Sequence, residues 1–97
     1  MLHILALPRL DAATAERIAA GDDVLLQRGT VWALLPGHQD QHHLAALVAK
    51  SCRLHVLSDW LAVNGLTDKT LFEPLQVIDY PEWIELTIRN QVIQTWR

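Results

Sequence analysis

Four short apolar runs recur along the chain, each followed by a segment with helical spacing. They are MLHILAL at residues 1–7, DVLLQ at 23–27, CRLHVL at 52–57 and LQVID at 75–79. Short, nearly continuous apolar runs read as strands covered on both faces. Strands that alternate with helices join through right-handed crossovers into a parallel sheet with helices on both sides. The expected fold is α/β, a three-layer α/β/α sandwich around a small parallel sheet of four or five strands. The tail QVIQTWR reads as a short fifth strand or as an extended arm.

Local signals mark the helices. Asp11 is placed to cap DAATAERIAAG, with Ala15, Ile18 and Ala19 on one face and Gly21 in the closing turn. Thr30 is placed to cap a short turn, VWALL, that Pro36 and Gly37 stop. Asp40 caps a helix over 41–50 with Leu44, Leu47 and Val48 facing inward. Ser58 caps DWLAVN, and Gly65 ends it. LTDKTLFEP is a polar connection anchored by Phe72. Pro81 suits the first turn of a last helix reaching Asn90, and Glu82 and Glu85 suit its dipole. The chain has no repeat, low-complexity stretch or linker, so residues 1–97 read as one domain.

Apolar residues make up 51% of the chain and charged residues 20%. That mixture excludes disorder and leaves more apolar surface than one small core hides. A partner is expected, and self-association when it is missing. Four Trp in 97 residues point the same way, because Trp is enriched at the centres of interfaces. Trp60, after a cap, and Trp96, in the tail, are the expected partner contacts, while Trp32 is expected to pack inside. The net charge of -3 and the absence of a basic stripe argue against direct nucleic-acid binding. The start, MLHILALPRLD, lacks a basic leader, and no apolar run approaches the ~20 residues of a membrane helix. A single cysteine fits a reducing compartment, so a cytoplasmic protein is expected.

The motifs of common chemistries are missing. Neither GxGxxG, GxxxxGK[ST] nor GxSxG occurs, so no nucleotide cofactor and no hydrolase elbow is expected. His38 and His42 have the i,i+4 spacing of zinc ligands, but His38 lies before the cap, and no third ligand is apparent. No metal is expected there. His3 and His55 fall inside strands and read as satisfied residues of the core or sheet face. The acidic pairs Asp22 with Asp23 and Glu82 with Glu85 have local explanations at a strand start and a helix start. Cys52 is the one candidate nucleophile. Lys50 and Arg53 lie close in sequence, which favours a thiolate. Its place at the amino end of a strand argues otherwise, because sites in parallel sheets gather beyond the carboxyl ends.

Several stretches together resemble the TusB/DsrH family of small sulfur-relay subunits. They are MLHIL, GDDVLLQRGTVWAL, LHVLSDWLAVNGL, VIDYPEWIELT and a penultimate QTW, in that order over almost the full length. The resemblance implies a DsrE/F/H-like fold and membership of a heterohexamer with TusC-like and TusD-like subunits. It implies that the complex takes persulfide sulfur from an upstream carrier and hands it to a downstream one. The sulfur then becomes the 2-thio group of a tRNA wobble uridine or, in the Dsr branch, enters sulfur oxidation. DsrH-type members carry a cysteine in the first helix, and alignment on Gly21 puts that position near Thr14. The resemblance therefore favours the TusB branch, a subunit with no carrier cysteine. Relatives often have an acidic residue before the glycine of RG, where this chain has Arg28. The alternatives are a sulfurtransferase carrying persulfide on Cys52, a DsrH-like subunit of sulfur oxidation, and a small-molecule binding module using the crevice at the strand ends.

Overall fold

The computed structural model describes residues 1–67 and 69–97. Asp68, within the polar connection LTDKTLFEP, lies outside the described residues. Five strands form one parallel sheet: β1 (Leu2–Leu5), β2 (Asp23–Leu26), β3 (Arg53–Leu57), β4 (Gln76–Ile78) and β5 (Ile93–Trp96). Their spatial order is β4-β3-β2-β1-β5, and every neighbouring pair is parallel. The tail is thus a true strand. It pairs with β1 in the register Leu2 to Ile93 through Leu5 to Trp96.

The helices are α1 (Ala12–Arg17), a 3-10 helix (Arg28–Leu34), α2 (Gln41–Ala49), α3 (Ser58–Val63) and α4 (Tyr80–Arg89). From β1 to β4 each connection steps the same way across the sheet. The last connection steps back, from β4 past the whole sheet to β5. Crossovers of one hand that step one way must stack their helices on one face, and the return must use the other. The packing follows this rule. Leu5, Val24, Leu26 and Val56 pack with Ala15, Val31, Leu34, Leu44, Leu47 and Leu61 of the first four helices. Leu2, Leu25, Leu57 and Ile78 face the opposite way and pack with Leu86 of α4.

Several helix ends differ from the expectation. Asp11 caps α1 by accepting the Thr14 N–H at 2.8 Å, but α1 stops at Arg17 and leaves Ala19 exposed. Gln27, not Thr30, sits at the cap of the 3-10 helix. Thr30 is buried one turn in. Its hydroxyl accepts the Gln27 N–H and shares its proton between the carbonyls of Leu5, at 2.8 Å, and Gln27, at 2.7 Å. Asp40 holds the cap position of α2 without bonding the helix, because its carboxylate is taken by Arg9 at 2.7 and 3.0 Å. Ser58 is the first residue of α3 and Leu57 its cap. Asp79 caps α4 in a reciprocal pair with Glu82, and Pro81 lies in the first turn.

Candidate crevice at the carboxyl edge of the sheet

Parallel strands bring their carboxyl ends to one edge, and four segments meet there. They are Ala6 and Pro8 after β1, Arg28, Gly29 and Trp32 after β2, Trp60 and Asn64 of α3, and Arg97 after β5. Together they line an open crevice of about 770 Å³. Its floor is tightly built. The Gln27 N–H donates to the Leu5 carbonyl at 3.0 Å, and the Ala6 N–H to the Trp96 carbonyl at 2.9 Å. Arg28 takes the left-handed region at φ 52°. At Gly29 the chain passes so close to the Pro8 backbone that a Cβ would lie 1.9 Å from its carbonyl oxygen. Only glycine fits that approach.

A 3-10 helix has three residues per turn, so Val31 and Leu34 share the buried side. That spacing turns Trp32 outward, where it is 41% exposed rather than packed inside as expected. Trp60, half-buried, flanks the crevice from α3, where the Asn64 side chain donates to its carbonyl at 2.7 Å. Arg28 and Arg97 make no side-chain hydrogen bond or ion pair among the described residues. Among the described residues no Asp or Glu lines the crevice. A chain of net charge -3 therefore presents a cationic, aromatic recess at the edge where parallel α/β sheets bind their ligands.

The opposite edge holds Cys52, which precedes the first residue of β3. It is 6% exposed and its thiol donates to the Ala19 carbonyl at 3.3 Å. Burial pushes the thiol's pKa up, and the nearby Gly21 and Asp22 N–H groups and Lys50 offset only part of that. Lys50 itself spends its ammonium on the carbonyls of Ala15 and Ile18, at 3.0 and 2.7 Å.

Two polar clusters also occupy the amino edge. The Trp96 indole N–H donates to His3 Nδ1 at 3.1 Å, and His3 Nε2 donates to Asp22 at 2.8 Å. This chain of bonds fixes the His3 tautomer and ties β5 to β1 and to the turn before β2. On the other face, buried Asp23 accepts from Arg53 Nε at 2.9 Å, His55 Nε2 at 3.1 Å and Asn90 Nδ2 at 3.0 Å. Arg89 lies 3.7 Å away. Burial is the largest single influence on Asp23 and opposes its ionisation. The bonds from Asn90 and His55 and the charge of Arg53 together outweigh it and hold the carboxyl below its ordinary pKa. Among the described residues His55 Nδ1 is buried with no partner, so this histidine is only half satisfied there, contrary to the expectation. It borders a recess of about 80 Å³ that Glu82, Glu85 and Arg89 also line.

The profile of the DsrH like protein family matches residues 9–93. The chain belongs to the DsrH-like family. It is 35% identical over 99 residues to Protein TusB of Erwinia tasmaniensis, covering 99% of this chain and 100% of that one. It is 30% identical over 79 residues to Protein TusB of Photorhabdus laumondii, covering 81% of this chain and 79% of the relative. Among solved structures it is similar to the ychN protein from E. coli, with a TM-score of 0.76 and 16% identity, covering 98% of this chain and 97% of that one. That last likeness concerns the fold, and the five-stranded parallel sheet agrees with it.

In this DsrH-like chain the structure separates the residues singled out from sequence. Trp60 lines the crevice, while Trp96 is half-buried, stacked near His3 and hydrogen-bonded to it. Cys52 is at the far edge from both the crevice and Trp60. Thr14, near the position of the first-helix cysteine in DsrH-type members, is buried in α1. His38 lies in the turn before α2, where its Nδ1 accepts the Asp40 N–H at 3.1 Å, and His42 bonds the Gln39 carbonyl at 2.8 Å. They do not share a helix face, and among the described residues no three His, Cys, Asp or Glu gather as a metal site. Among the described residues no helix is long and apolar enough to cross a membrane. Sequence reasoning missed Arg28 and Arg97 as a pair and Asn90 as an Asp23 partner. The RG turn after an apolar strand was the one available signal for Arg28.

Proposed function

We propose that this DsrH-like chain is a non-catalytic subunit of a cytoplasmic sulfur-relay complex. It acts as one domain, residues 1–97, beside TusC-like and TusD-like subunits in a heterohexamer, and supports 2-thiolation of a tRNA wobble uridine. Membership of the family and the similarity to two TusB proteins support the relay reading. The state of Cys52, the only cysteine, carries the non-catalytic part. Persulfide transfer needs an acceptor thiolate to attack the outer sulfur of a donor persulfide, form a new S–S bond and expel the donor thiolate. A buried thiol with a raised pKa, already donating to Ala19, is a poor acceptor in that step. The sulfur is then carried by a cysteine of a partner, and this chain supplies surface and position. Contact with the tRNA passes through the complex rather than through this acidic chain.

The test is purification of the tagged chain from its native cells, with mass analysis of each subunit. Two small α/β partners in equal amount support the reading. A chain that purifies alone from cells expressing all subunits contradicts it.

A further inference from the structure

We propose that the crevice at the carboxyl edge seats an acidic segment of a partner protein, an apolar or aromatic side chain flanked by Asp or Glu. The inference deepens the relay-subunit reading and rests on it for the partner. The chemistry comes from the crevice. Arg28 and Arg97 line it with no ion pair of their own, and no Asp or Glu side chain lines it, among the described residues. Guanidinium groups favour carboxylates, because their planar fork donates to two oxygens at once. Trp32, 41% exposed, and Trp60 line the same crevice. Exposed Trp beside Arg is the composition of an interface hot spot, in which an apolar anchor fills a pocket and charged pairs fix the register.

The surroundings decide between occupants. A nucleic acid needs a track of cations to follow its phosphates, and here two arginines stand in a chain of net charge -3. A small ligand needs an enclosed site that buries most of it, whereas this recess is open along one side and leaves Trp32 in solvent. A protein segment laid across the edge covers both. The platform is rigid where recognition needs it. Gly29 is locked against Pro8, and the Thr30 hydroxyl pins the start of the 3-10 helix to Leu5 and Gln27. Arg28 is therefore presented from a fixed backbone.

The experiment places the photoreactive residue p-benzoylphenylalanine at Trp32 in the full chain, in its native cells, and sequences the cross-linked product. The expected product is one peptide of a partner subunit with Asp or Glu beside an apolar residue. Arg28→Glu should cut its yield at least about tenfold, since like charges replace a complementary pair. Arg28→Lys, which keeps the charge but not the fork, should lose less of it than Arg28→Glu, and changing the partner's acid to Arg should restore it in Arg28→Glu. Cross-links to RNA, or to a segment without acids, overturn the proposal. So does equal loss in Arg28→Lys and Arg28→Glu. A complex that assembles normally with no cross-link from Trp32 overturns the crevice but leaves the relay reading standing. Failure to recover any partner sinks both.

Discussion

On one face of the sheet four helices cover β1 to β4 and bury Leu26, Leu34, Leu44 and Leu47 completely. On the other, α4 packs alone against residues of β1 to β4 and contributes one buried residue, Leu86. The crowded face buries most of the apolar core together with Thr14, Thr30 and Asp40, and Thr30 and Asp40 have hydrogen-bond partners. The thin face buries Asp23 and His55, leaves His55 Nδ1 and Trp83 Nε1 without partners among the described residues, and shows Tyr80, Ile84 and Ile88 to solvent. The difference follows from topology, since three crossovers load one side and one return loads the other. It teaches where stability and interaction reside. The crowded face makes the fold, and polar bonds from Asp23 anchor α4 to the thin one.

Truncation of the crowded core should have the largest effect. Leu26→Ala should cost about 3–5 kcal/mol in denaturant unfolding, because the surrounding helices cannot collapse into the cavity. A loss under about 1 kcal/mol would show that this face is loosely packed. Gly29→Ala tests the same face for added volume. The clash with the Pro8 backbone should cost about 3 kcal/mol and shift the turn that carries Arg28.

The thin face should respond to chemistry rather than volume. Asp23→Ala should cost about 2–3 kcal/mol, because His55, Arg53 and Asn90 lose their shared acceptor. The exposed guanidinium of Arg53 finds water instead, which keeps the loss below that of a fully buried pair. Asp22, Asp23 and Asp40 all ionise more readily in the folded chain than in the unfolded one. Their stabilisation is complete above the unfolded carboxylate pKa of about 4 and is lost as pH falls through the folded values. Unfolding followed against pH should show this acid loss, and Asp23→Asn should shrink it. An unchanged acid limb would remove Asp23 as the anchor of α4.

The smallest effect on stability is expected at Ile88, which is 76% exposed. Ile88→Glu should change the unfolding free energy by no more than about 0.5 kcal/mol. It should nevertheless reduce self-association of the isolated chain in sedimentation, by breaking the apolar stripe of α4. Equal self-association in both proteins would place the sticky surface elsewhere.

Much of the fold was legible because its signals are local. Apolar runs marked β1 to β4, Asp11 marked the start of α1, and Pro81 marked α4. The tail stayed ambiguous because Ile93–Trp96 is half polar, and pairing with β1 at the far end of the chain decides its state. Trp32 was misplaced because the type of helix, not its existence, sets which residues face inward. An α-helical turn and a 3-10 turn over the same residues bury different sides. The Asp23 anchor was hidden because its partners lie 30, 32 and 67 residues away. The crevice was legible as a place, from the rule for parallel sheets, but not as a set of residues. Four separate segments build it, and only Trp60 among them had been singled out as a partner contact.

The most direct measurement is the mass of every subunit of the purified complex after loading with persulfide sulfur from its donor. One added sulfur atom on a partner and none on this chain, with Cys52→Ser unchanged in transfer, is the predicted result. Added sulfur on this chain, lost in Cys52→Ser together with transfer, would make the buried thiol the carrier and contradict the account.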